Sequence, residues 1–357
     1  MPFKPVTRLF LSTYADMEIT NKHSYFLNNM RFIEPGHLVK KQGAVWLYAI
    51  ALSVSVLLNK SFVQSNKKLP ATTTVLVEQT FLTLVSLYFI KTLKIIKLPA
   101  FNKQSAEKVY ILPMLQFGIV TCSLASSNLS RQVFEPLQRL SIIMTITVEI
   151  LMFGQSSSKS NLSSVCFMVI GGLIGLAATI THFNLGGWLF VIAQDILVAV
   201  HLVSLKKALY AGDLGKYGVI FYSNILMLPL AIALCFFTGE MHLAYNFTWS
   251  CASIMQFISV SAYNAFTMLV FVTCAQLNSA STTAVVPCVQ QLVVAFGELV
   301  SSTDEVYELK FEYFIGSIVS LLACVAYFHF EFQDSTTQTA SKGYEKLDDS
   351  FHVDEDV

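Results

Sequence analysis

The chain has 357 residues, of which 54% are apolar and 13% charged, and its formal net charge is +0; mean hydropathy is +0.58. Soluble domains carry roughly 25% charged residues, and a chain of this length has too little interior to hide so much hydrocarbon, so a soluble globular protein is excluded. Balanced charge argues against a nucleic-acid partner, and without HExxH, CxxC or clustered histidines there is no sign of a metal or cofactor site.

Residues 1–43 are polar and mixed in charge, and read as a cytosolic segment without a cleavable signal pattern. Ten apolar stretches follow, near 44–61, 71–90, 109–126, 133–154, 164–182, 187–205, 217–238, 251–276, 280–300 and 312–330. Each approaches the roughly 20 residues that cross a bilayer as a helix. Lipid offers no partner to open backbone groups, so all ten are expected to be helical. The seven cysteines lie in or beside these runs and read as small packing residues. From residue 331 the chain turns acidic, and 331–357 reads as a disordered cytosolic tail. Within it, Tyr344 to Leu347 has the shape of a tyrosine-based sorting signal.

Basic residues orient the bundle. With both termini in the cytosol, 17 of the 23 basic residues fall on cytosolic segments, and Lys60, Lys67, Lys68, Arg131 and Lys310 fall on the opposite side. Two sequons, at Asn128 and Asn246, then lie on the non-cytosolic face, where glycosylation requires them. A homodimer is compatible with this layout in the lipid bilayer.

The two halves echo each other. The first span ends LLNKSF with Lys60, and the sixth ends SLKKAL with Lys206, 146 positions later. The fourth opens PLQRL from Pro136, and the ninth contains PCVQQL from Pro287, 151 positions later; each leads to a glutamate, Glu149 or Glu298. Five spans per half is an odd number, so the second copy is inverted. The expected architecture is all-α, with ten transmembrane helices in two inverted five-helix repeats, about 44–182 and 187–330. Such repeats belong to carriers with a solute site near the midplane.

Charge within apolar runs is costly and faces either a partner or a wet cavity. Glu78 and Asp195 each sit beside a glutamine and suit interhelical hydrogen bonding or cavity lining equally. Glu149 and Glu298 lie near span ends and suit the interface, and Lys60 and Lys206 suit snorkelling. Arg139, about two turns into the fourth span, keeps its proton. It suits either a bidentate grip on phosphate oxygens or a salt bridge with Glu135 one turn earlier.

At DLGKYGVIFYSN (213–224) and QLNSASTTAVV (276–286), together with LLNK, PLQRLSI and FNLGGWLFVIAQDI, the chain resembles the nucleotide-sugar transporters of the drug/metabolite transporter superfamily, and among them the UDP-glucuronic acid/UDP-N-acetylgalactosamine transporter branch. The likeness runs from about Leu57 to Phe330. It implies a Golgi or endoplasmic-reticulum antiporter, not an enzyme, that exchanges cytosolic nucleotide sugar for lumenal nucleoside monophosphate. It also implies that Phe221, Tyr222, Ser223 and Asn224 stand where GDP-mannose relatives carry Phe-Tyr-Asn-Asn against the nucleotide. Gln290 and Gln291 stand where those relatives carry Asn-Lys near the phosphates, and Gln138 where the UDP-sugar branch carries arginine. Thr282 and Thr283 would meet ribose or sugar, and Arg139, helped by Lys60 and Lys206, would balance the diphosphate. Glutamine supplies hydrogen bonds without charge, so a same-fold carrier of a less anionic solute and a non-transporting membrane-partner binder stay open.

Overall fold

A computed structural model describes residues 35–65, 72–96, 98–99, 101–127, 129–154, 157–179, 184–212, 214–247, 250–301 and 311–352. Residues 1–34, the sequon asparagine Asn128, and the side chains of Glu298 and Tyr344 lie outside the described residues. Lys41–Asp334 forms one compact unit, and the described residues outside it, 35–40 and 335–352, belong to another. The sites described below lie within Lys41–Asp334.

Every regular element among the described residues is a helix. They are α1 (Pro35–Ser65), α2 (Thr72–Thr92), α3 (Lys103–Val109), α4 (Ile111–Ala125), α5 (Arg131–Gln138), α6 (Leu140–Phe153), α7 (Lys159–Thr179), α8 (Leu185–Tyr210), α9 (Gly215–Phe237), α10 (Glu240–Tyr245), α11 (Cys251–Leu277), α12 (Ala280–Ser301) and α13 (Phe311–His352). Among the described residues, eight helical segments are long and apolar enough to cross a membrane, and a ninth if the bent pair α3–α4 is one span. α12, the ninth stretch of the sequence, is not among them, and its side chains beyond Gln291 lie outside the described residues. α13 continues past the boundary drawn at 330 and ends at His352.

The span expected at 109–126 corresponds to α4, which begins at a break: the axis bends by 43° between α3 and α4. Pro113 explains the break, because its ring crowds the carbonyl of Val109 four residues back and it has no N–H to give. The fourth span tightens midway instead. The Arg139 N–H bonds the Pro136 carbonyl three residues back at 3.3 Å, which separates α5 from α6 and turns Arg139 inward. α6 ends at Gly154, whose φ of +66° suits a residue without Cβ.

Contacts between the helices α1–α7 and the helices α8–α13 dominate. α8 packs against both α4 and α6, α2 against α9 and α11, α4 against α9, and α6 against α12. α1 meets α11 through the Tyr48–Phe271 ring pair, at 5.4 Å, and through Ser55 Oγ, which donates to Asn264 Oδ1 at 2.6 Å. α7 and α13 approach closely at glycines: a Cβ on Gly171 would stand 2.6 Å from the Gly316 carbonyl oxygen. With no water to drive association in lipid, such small residues give tight van der Waals contact between helices.

Candidate functional site

Two cavities open inside the bundle, sharing the side chains of Gln138 and Gln291. The inner one, of about 220 Å³, is walled by α1, α4, α6, α8, α11 and α12, with Arg139 at the junction of α5 and α6. Its polar groups include Gln138, Arg139, Ser141, Asp195, His201 and Thr283, and its apolar wall includes the rings of Tyr48 and Phe271. The outer one, of about 400 Å³, is more polar. It is lined by Ser123, Ser126 and Ser127 near the end of α4, by Glu135 and Gln138 of α5, and by Gln290 and Gln291 of α12.

Arg139 is 3% exposed. Its Nη1 donates to Ser320 Oγ at 2.6 Å and its Nε to Gln291 Oε1 at 3.4 Å. Ser320 in turn donates to the Met168 carbonyl at 2.8 Å, so the guanidinium is braced against α7, α12 and α13. Its stem lies over Gly172, where a Cβ would come within 3.0 Å of Arg139 Cδ. The salt bridge with Glu135 does not form: Glu135 Oε2 accepts from Tyr313 Oη at 3.0 Å, and no described carboxylate lies within ion-pairing distance of Arg139. Pro287 also shapes this wall, since its missing N–H frees the Thr283 carbonyl from the helical ladder.

Of the residues singled out in the sequence, Gln138, Arg139, Thr283 and Gln291 meet at the inner cavity, and Gln290 faces the outer one. Thr282, one position from Thr283, points away and donates to Glu331 Oε1 at 3.3 Å. Lys60 is half-buried on α1 and lines neither cavity.

Lys206 is buried rather than snorkelling. Its Nζ donates to the Asn278 carbonyl at 2.6 Å, lies 3.8 Å from Glu149 Oε1, and sits 5.4 Å from the centroid of the Tyr210 ring. Glu149, expected at the interface, is buried too. It accepts from the Ala280 and Ser281 amides, both at 3.0 Å, and from Ser281 Oγ, capping the positive end of α12.

The α9 motif is placed away from both cavities. Tyr222 is fully buried, stacks on Phe101 at 5.5 Å and accepts from the Asn102 amide at 2.8 Å, which seats the loop before α3. Asn224 Nδ2 donates to the Ile220 carbonyl at 2.8 Å. Ser223 is buried, and its hydroxyl has no hydrogen-bond partner among the described residues.

Sequence reasoning left His201, Tyr48 and Phe271 out of the site. A usable signal lay in α8, where Asp195, Val198 and Leu202 share one helical face and all line the inner cavity.

No family model matches the chain. Among the curated proteins similar to the chain over most of their length are three transporters. The chain is 28% identical over 298 residues to a UDP-sugar transporter, UST74c, of Drosophila melanogaster, covering 83% of this chain and 79% of that protein. It is 31% identical over 278 residues to the nucleotide sugar transporter SLC35D2 of Mus musculus, covering 77% and 84%. It is 29% identical over 296 residues to the UDP-sugar transporter sqv-7 of Caenorhabditis elegans, covering 82% and 89%. A solved crystal structure matches with a TM-score of 0.56 at 11% identity, covering 84% of this chain and 99% of its own, and shares the fold alone. These relatives are transporters, so the chain is a multi-pass membrane protein and not an enzyme. With the buried polar cavities and the apolar helices around them, that similarity makes the chain a member of the nucleotide-sugar transporter family.

Proposed function

We propose that the chain carries a UDP-sugar from the cytosol into the Golgi or endoplasmic reticulum in exchange for a nucleoside monophosphate. Both termini are cytosolic, and ten spans form two inverted halves. The observation that carries this reading is Arg139: a buried guanidinium on a cavity wall, with no described carboxylate to neutralise it. A cation held in that state at membrane depth matches an anionic guest, and its two neighbouring amides, Gln138 and Gln291, stand between both cavities.

The packing pattern supports the inverted repeat. If span n corresponds to span n + 5, the pairs α2–α9, α6–α12 and α7–α13 each map onto themselves. The α4–α8 contact then maps onto α1–α11, and α2–α11 onto α4–α9; all are present. Exchange follows by alternating access, and a guest shifts the two-state balance only through its differential affinity for the two states.

A second reading, transport of a less anionic solute, is favoured by the outer cavity, which holds Glu135 and no described cation. Proteoliposomes preloaded with UMP and offered labelled UDP-sugars separate the two, because only the first reading gives uptake. Arg139→Gln removes charge-assisted bonds worth about 1.5–3 kcal/mol each, so affinity for the nucleotide falls roughly 10- to 100-fold. Normal exchange by this variant would show that another group holds the phosphates.

A further inference from the structure

Asp195 is 1% exposed and lines the inner cavity, yet its Oδ2 has no hydrogen-bond partner among the described residues. Its unanswered state is unusual within this bundle. Glu149 receives two amides and a hydroxyl. Glu331 receives Asn161 Nδ2 at 2.6 Å and Thr282 Oγ1. Glu240 receives the Thr73 amide at 2.8 Å, the Thr73 hydroxyl at 2.6 Å and the Thr74 amide at 3.1 Å. Glu78 Oε2 also lacks a partner, but Glu78 is only half-buried and lines neither cavity. Buried polar atoms are nearly always satisfied, and an acid within a membrane is costly unless something answers it. Among the described residues, Asp195 is thus the fully buried acid whose missing donor has a cavity to arrive through.

The surroundings indicate what brings that donor. Beside Asp195 the inner cavity is walled by the rings of Tyr48 and Phe271 and by Ile119, Val198 and Leu202, a lining suited to a flat ring. At about 220 Å³ it is smaller than the roughly 300–1,000 Å³ of sites that hold whole ligands. It therefore suits one part of a longer molecule that continues past Gln138 and Gln291 into the outer cavity. The serines, glutamines and glutamate there suit a polyhydroxylated sugar. Arg139, on the inner wall and bonded to the shared Gln291, is the described cation nearest that passage and suits the phosphates.

The geometry points to Asp195 as the residue that reads the nucleoside half of the cargo, accepting a hydrogen bond from a base N–H or a ribose hydroxyl while Arg139 holds the phosphates. This rests on the chain being a nucleotide-sugar carrier. It orients the guest with its base inward against Tyr48 and Phe271 and its sugar in the outer cavity.

Thermal stabilisation of the purified full chain by UMP and by inorganic pyrophosphate tests it, because a bound ligand raises the midpoint by mass action. Asp195→Asn keeps the shape and removes the acceptor charge. It is expected to weaken UMP binding at least tenfold and leave pyrophosphate binding unchanged, whereas Arg139→Gln weakens both. Two analogues need no variant. 3-Methyluridine monophosphate lacks the base N–H and 2′,3′-dideoxyuridine monophosphate lacks the ribose hydroxyls, so one of them should stabilise the wild type at least tenfold less tightly than UMP. Unchanged UMP binding by Asp195→Asn overturns the assignment of Asp195 and leaves the transport reading standing, as do equal affinities for UMP and both analogues. A wild type that no nucleotide stabilises overturns both.

Discussion

Exchanging Glu149 for glutamine should destabilise the bundle more than exchanging its partner Lys206 for methionine. The pair is unequal. Glu149 accepts from the Ala280 amide, the Ser281 amide and the Ser281 hydroxyl in addition to facing Lys206 at 3.8 Å. Lys206, 7% exposed, has one neutral acceptor, the Asn278 carbonyl at 2.6 Å, and Glu149 as its nearby counter-charge. In Glu149→Gln the new NH₂ group must confront a backbone N–H or the ammonium, and Lys206 stays buried without its counter-ion. Removing one partner of a buried pair in this way costs about 3–5 kcal/mol. In Lys206→Met the carboxylate keeps three donors and the positive end of α12, and the main loss is one charged donor to Asn278, about 1.5–3 kcal/mol.

The double variant leaves no orphaned charge, so it should cost less than the sum of the singles, with a coupling of about 1–3 kcal/mol. Equilibrium unfolding in mixed micelles, with all four proteins compared in one detergent system, measures this. Equal costs for the two singles, or a coupling below about 0.5 kcal/mol, would sink the view that Glu149 is what holds Lys206. Nucleotide stabilisation of the folded Lys206→Met protein is the second readout. An anchoring lysine leaves it intact, and its loss would mean that Lys206 acts on the guest.

Gly171→Ala would place a methyl 2.6 Å from the Gly316 carbonyl oxygen and against the Ser320 hydroxyl that braces Arg139. Overpacking of this kind costs about 1–3 kcal/mol, so we expect a lower unfolding midpoint and weaker UMP binding together; an unchanged midpoint refutes the close approach of α7 and α13. Glu240→Gln weakens the cap on the first residues of α2, where the carboxylate takes two amides and a hydroxyl. A loss of about 0.5–2 kcal/mol follows, read by the same unfolding assay, and no loss means the cap is idle. Gln290→Lys adds a cation to an outer cavity that holds Glu135 and no described cation. It should tighten pyrophosphate and UDP-sugar binding severalfold in thermal shifts, and weaker binding would place the phosphates elsewhere.

Hydropathy made the helices legible because lipid leaves the backbone no alternative, and Pro113 could have announced the bend that a count of apolar residues missed. The site was legible only in part, for a physical reason: sequence shows which polar groups enter the membrane but not which of them find each other. In the sequence Lys206, at a span end, suited snorkelling, and Arg139, about two turns into its span, suited a phosphate grip or a salt bridge with Glu135. They differ because Glu149, 57 positions before Lys206, folds back beside it while also capping α12, whereas Glu135, a single turn from Arg139, is engaged by Tyr313 of α13. The nearer acid in sequence is therefore the one that leaves its cation unneutralised. Tyr222 carries the same lesson. Its motif position suggested a ligand contact, but the Asn102 amide and the Phe101 ring take up its hydroxyl and its face. On the proposed reading, what separates a binding group from a structural one in this bundle is whether a buried charge has already met its opposite or its donor. Arg139 has only the neutral Ser320 and Gln291 and Asp195 Oδ2 has no described donor, whereas Lys206 and Glu149 answer each other and Tyr222 is engaged by the loop before α3.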